Sequence, residues 1–174
     1  MSNHALVGRS ALTAASLVAA IGGVAATVRL AGATSAARSA LAFEFSCPPA
    51  RPGEALAVGA GNVRLVGAVL LAALVVGLRP AIRPTLDLVM GALAGLNATT
   101  AGIALAAYDT RLLKAVATHA PLELAGFAVA GSAYLSARRR ELEGHQLMTA
   151  AAASSLLLAA AAVVETYVQI EVGP

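Results

Sequence analysis

Apolar residues fall in long blocks along this chain, and polar ones gather in short gaps between them. The blocks are Ala11–Val28, Leu65–Leu78, Leu88–Ala107, Ala115–Ala137 and Leu147–Val164. Crossing the hydrocarbon core of a bilayer takes about 20 apolar residues, with a range of about 17–25. Leu65–Leu78 is short by itself. It reaches that length if Ala55–Val63 precedes it in the same helix and Arg64 snorkels to the interface. The pattern predicts an all-α fold: a polytopic integral membrane helical bundle of about five transmembrane helices, near 11–33, 57–78, 86–107, 115–137 and 147–168. All of residues 1–174 is expected to form one transmembrane domain, with no length left for a separate soluble one.

The first block is expected to be a retained anchor rather than a cleaved signal peptide, because it is long enough to span and further blocks follow. The connection after it is the long one, from about 36 to 61. Pro48, Pro49, Pro52 and Gly53 mark it as irregular, and Phe43 and Phe45 are expected at an interface. The other connections, Arg79–Pro84, Tyr108–Lys114 and Arg138–Gln146, are brief. Orientation rests on basic residues near the helix ends. Arg9, Arg79, Arg83 and Arg138–Arg140 fall on one side; Arg29, Arg38, Arg51, Arg64, Arg111 and Lys114 fall on the other. The counts tie, but the second set is spread over the long connection and the densest cluster sits in a short one. That favours a cytoplasmic N-terminus in the cell membrane.

Composition agrees with the pattern. Hydrophobic residues make up 59% of the chain and charged ones 12%, against about half and about a quarter in soluble domains. The net charge of +3 is small and scattered, so nucleic-acid binding has no footprint. Only Arg138–Arg140 begins to resemble a polybasic lipid-binding cluster. Cys47 is the single cysteine, so no internal disulfide forms. Alanine and glycine dominate the helices. Gly91 and Gly95, with Gly102 further along, form a small-residue packing face, and Gly126 and Ala130 repeat the spacing in the fourth expected helix.

His119 and Glu123 are the ionisable groups of the block Ala115–Ala137, and one helical turn separates them. Ionisable groups at membrane depth are costly and mark a functional site by default. Pro121 lies between them, and proline is tolerated in a first turn. A helix start near Thr118 or His119 would make the true span about 120–137, leave 112–117 as a short interfacial or re-entrant piece, and aim free amides beside His119. Asn97 interrupts the third block and Glu165 ends the fifth. Together, Asn97, His119, Glu123 and Glu165 are expected to form a buried polar centre. Asp87, at the mouth of the third expected helix, is read as a cap or interface group. No metal is expected: a His and Glu four apart are half of a helical zinc motif, and a second histidine is missing. No cofactor is expected and no catalytic set can be assembled, so catalytic residues stay unassigned.

These residues resemble the stage II sporulation protein M family. Its third-helix signature is matched by Asn97-Ala98-Thr99-Thr100-Ala101-Gly102, and its fourth by Thr118-His119-Ala120-Pro121-Leu122-Glu123-Leu124-Ala125-Gly126. Ala161-Ala162-Val163-Val164-Glu165 matches the fifth, and Asn62-Val63-Arg64 the opening of the second. The polar skeleton matches. The backbone-shaping residues do not, since Thr118, Ala120, Ala125 and Ala98 stand where the family has proline or glycine. The resemblance implies a five-helix membrane fold and, from the sporulation members, an anchor for peptidoglycan-remodelling enzymes.

Three functions follow. The first is a non-enzymatic membrane scaffold or accessory subunit, with the lipid bilayer and membrane or cell-envelope proteins as partners and a homo-oligomer as an open alternative. The second is a membrane-embedded enzyme or enzyme subunit modifying a peptide or lipid-linked substrate, with His119 as acid or base, Glu123 orienting it and Asn97 stabilising. The third is a transporter component.

Overall fold

A computed structural model describes residues 3–42 and 51–168. It is all-helical across them: α1 (Asn3–Leu30), α2 (Thr34–Leu41), α3 (Pro52–Leu78), a 3₁₀ turn (Pro80–Ile82), α4 (Arg83–Val116), α5 (Ala120–Arg138) and α6 (Gly144–Tyr167). Pro52 begins α3 in the first turn, where its missing amide costs nothing. The helix then runs unbroken past an exposed Arg64 to Leu78. Cys47, Phe43, Phe45, Pro48 and Pro49 lie outside the described residues.

Four stretches are long and apolar enough to cross a membrane: Val7–Leu30, Pro52–Leu78, Pro80–Val116 and Gly144–Tyr167. Five were expected. The one missing is α5, whose serines, glycines, tyrosine and Glu123 dilute its apolar residues. It is also the most enclosed helix, packed against α1, α3 and α6. A helix walled in by others buries polar side chains against them, so its composition follows its neighbours.

The packing is inside-out relative to a water-soluble bundle. Alanine fills the interior: Ala72, Ala73 and Ala137 cluster with Val76 and Tyr134, and Ala130 sits with Val66 and Leu158. Ser132, Ser136, Ser154, Thr166 and Gln146 are fully buried too. Large aliphatic side chains point outward, with Leu71 60%, Leu88 74% and Leu156 72% exposed. Small residues let helix backbones approach closely. At Gly126, an added Cβ would stand 3.1 Å from Leu158.

Two expectations change. First, α2 and the start of α3 occupy much of the connection expected to be irregular. Second, α4 passes through the expected Tyr108–Lys114 loop and ends at Val116, with a kink at Asp109 (φ 47, ψ −123). A break in a helix leaves carbonyls of the preceding turn short of amide donors. Arginines from α1 and α2 supply them. Arg29 donates to Leu105 O at 3.1 Å and pairs with Asp109 at 2.7 Å. Arg38 donates twice to Ala107 O, at 3.1 and 2.7 Å. The residues after the kink, expected as a short interfacial or re-entrant piece, continue α4 as a helix to Val116.

The predicted glycine face divides. Gly102 packs on α1: a Cβ there would meet Val24 Cβ at 2.6 Å and the Ile21 carbonyl at 2.7 Å. Gly91 and Gly95 have nothing within 4 Å of an added Cβ; α4 leans on α1 and α2 and barely touches α3, so these two do not serve helix packing within the chain. Gly102→Ala should therefore destabilise the purified protein by about 1–3 kcal/mol through overpacking. Gly95→Ala should be neutral or stabilise by up to about 1 kcal/mol through helix propensity. Thermal unfolding in detergent reads the difference, and equal midpoints for the two variants would refute the assignment.

Candidate functional site: a polar lock beside an apolar groove

The chain turns at Ala117–His119, and α5 starts at Ala120 with Pro121 in its first turn. His119 is the N-cap residue. Its carbonyl accepts from the amides of Leu122 (3.0 Å) and Glu123 (3.1 Å), closing the first helical turn. This places the Glu123 carboxylate one turn inside α5, facing α3. There Asn62 Nδ2 donates a hydrogen bond to Glu123 Oε1. His119 from the turn and Glu165 from α6 both lie within electrostatic reach of Glu123.

Three of the four residues expected in the polar centre thus stand near one another. Asn97 does not join them. It is exposed on α4, and its side-chain amide donates to Leu93 O, one turn back in its own helix, at 2.8 Å. Asn62 takes the hydrogen-bonding role expected of Asn97, because α3 packs on α5 while α4 stands off. Asn62 was visible in the sequence as part of the second-helix signature, but nothing in the spacing ties it to Glu123. The hydrogen bond of Glu123 goes to Asn62 rather than His119. The His119 Nδ1 atom is buried without a hydrogen-bond partner among the described residues.

Where α4 stands off, a groove of about 690 Å³ opens between it and α1, α3 and α5. Its walls are mostly apolar, among them Leu65, Val69, Met90, Leu93 and Phe127, and Asn62, Asn97 and Glu123 also line it. Such a volume falls within the about 300–1,000 Å³ of small-molecule pockets. The groove also reaches a second polar group. Asp87, five residues beyond the N-cap Ile82 and so not a cap, accepts from Tyr134 OH at 2.8 Å and from Arg138 Nε at 2.9 Å. This clasp ties the start of α4 to the end of α5. Nearby, Arg9 of α1 donates to Ser136 Oγ at 3.0 Å and pairs with Glu141, and Ser10 meets Ser132 at 2.9 Å. No group of three or more His, Cys, Asp or Glu side chains is placed to hold a metal ion among the described residues.

No family model matches the chain, and neither a curated protein nor a solved structure matches it.

The Asn62–Glu123 bond makes a clear test. Asn62→Ala leaves a half-buried carboxylate without its donor and should cost about 1–3 kcal/mol. Glu123→Gln keeps an acceptor oxygen for Asn62 and should cost less than Glu123→Leu, which removes it. Unfolding midpoints of the purified variants measure this order, and a tolerated Asn62→Ala would rule the lock out.

Proposed function

We propose that this is a multi-pass protein of the cell membrane, with its N-terminus in the cytoplasm, acting as a scaffold or accessory subunit for membrane or cell-envelope proteins. The inside-out packing carries the reading: leucines face outward along the helices while alanine, serine and threonine fill the interior. Exposed aliphatic surface on that scale marks contact with membrane or protein rather than water. In lipid, small residues and interhelical hydrogen bonds hold helices together. All five long helices cross the bilayer in this reading, with α5 shielded by α1, α3 and α6.

The scaffold role is supported by how the polar groups are used. Asn62–Glu123, Arg9–Ser136, Ser10–Ser132 and Asp87–Arg138 each join two helices. They fix register and leave no hydrogen-bonded acid–base pair between His119 and Glu123. The resemblance to the stage II sporulation protein M family agrees, since Asn62, Glu123 and Glu165 come from three of its matched signatures. An enzyme acting on a lipid-linked substrate is the second reading. The groove beside Glu123 and the buried His119 Nδ1, without a hydrogen-bond partner among the described residues, favour it.

Alkaline carbonate extraction should leave the protein in the membrane pellet; release into the supernatant would end the membrane reading. His119→Ala and Glu123→Gln separate the two roles. As a scaffold, each variant should complement a deletion strain whenever its abundance on an immunoblot equals that of wild type. Normal abundance with lost complementation would transfer the assignment to the enzyme.

A further inference from the structure

The groove has one mouth that is rich in arginine. Arg138 lines it, and Arg83 lies with Arg138 within electrostatic reach of Tyr134. Arg83 Nε is buried without a hydrogen-bond partner among the described residues. The turn between α3 and α4 adds exposed Arg79, and the end of α5 adds exposed Arg139 and Arg140. In sequence these are two separate short sets; the Asp87 clasp to Tyr134 and Arg138 brings the start of α4 and the end of α5 to the same end. The carboxylates at this end are Asp87, Glu141 and Glu143, paired with Arg138, Arg9 and His145; Arg79, Arg83, Arg139 and Arg140 then leave a positive excess. Away from this mouth the wall turns apolar, until it meets Glu123. From Arg138 to Glu123 is about 22 Å along α5 at 1.5 Å per residue, longer than one leaflet's half of an about 30 Å hydrocarbon core.

Resting on the membrane reading above, we infer that this groove binds one anionic phospholipid, its phosphate at Arg83 and Arg138 and an acyl chain laid along α4 and α5. The charge distribution sets the direction. A phosphate is attracted to the arginine mouth and repelled from the Glu123 level. A basic pocket between helices, opening on an apolar channel, has the chemistry that retains anionic headgroups, and the favoured orientation puts it in the anionic cytoplasmic leaflet. The bound lipid would fill the space that α4 leaves when it stands off from α3 and α5.

Native mass spectrometry of the full chain in detergent tests this, with phosphatidylglycerol or phosphatidylcholine of identical acyl chains added. Wild type should retain phosphatidylglycerol several-fold better. Arg83→Gln should reduce that preference about fivefold. Gly91→Leu and, separately, Ala94→Leu project side chains into the groove from open positions. They should lower retention of both lipids while circular dichroism stays unchanged. Equal retention of the two lipids by wild type, undiminished phosphatidylglycerol binding in both groove-filling variants, or a co-purifying protein that displaces the lipid would each overturn the inference. Carbonate extraction separates the layers. A chain that stays in the membrane but shows no headgroup preference loses this inference alone; one released by carbonate loses the membrane reading as well.

Discussion

Close backbone approach around α5 is the constraint on which the rest of this structure depends. With many leucines turned outward, the interior is built largely from alanine, glycine, serine and threonine around a few larger residues such as Leu158, Val66 and Val76, and the small ones bury little area each. Cohesion then has to come from short interhelical distances and from hydrogen bonds made where the helices touch. Gly126 against Leu158, Gly102 against Val24, and the Ser10–Ser132 contact are instances of one solution. Polar residues inside α5 therefore have a packing role first.

The same constraint explains why the polar groups come in interhelical pairs. Burying a charge without a partner is costly, while a hydrogen-bonded partner offsets much of that cost. Glu123 has Asn62, and Asp87 has both Tyr134 and Arg138. These clasps sit near opposite ends of α5 and hold it to α3 at one end and to α4 at the other. Between them α4 is unsupported by α3, and the groove is the consequence. Arg29 and Arg38 complete the frame by supplying donors at the kink of α4, so the break at Asp109 is stabilised by α1 and α2.

The groove links architecture to the functional readings. In the proposed scaffold reading it would be a seam open to lipid, and in the enzymatic one a place for a substrate chain. Its two ends differ in charge, with arginines outnumbering Asp87 at one and Glu123 at the other, so an amphiphile entering it would be oriented. This asymmetry comes from the clasp between the start of α4 and the end of α5, which brings Arg83 and Arg138 both within reach of Tyr134.

The sequence by itself marked the five long helices but not all of their bounds. Apolar blocks and the proline at 121 mark where they run and where α5 starts, because these depend on local composition and on the missing amide of proline. It also marked His119, Glu123 and Glu165 as neighbours, through one helical turn and a resemblance in motif order. Which asparagine meets Glu123, which glycine of α4 packs, and what Asp87 binds were decided only by tertiary structure. Each depends on how far α4 stands from α3 and α5, and that distance is a property of helix pairs. The spacing 91–95–102 is equally suited to packing on paper; only the approach of α1 selects Gly102. Likewise α2 lay hidden in a proline-rich connection, since eight residues carry too little pattern to register until Arg38 finds the Ala107 carbonyl.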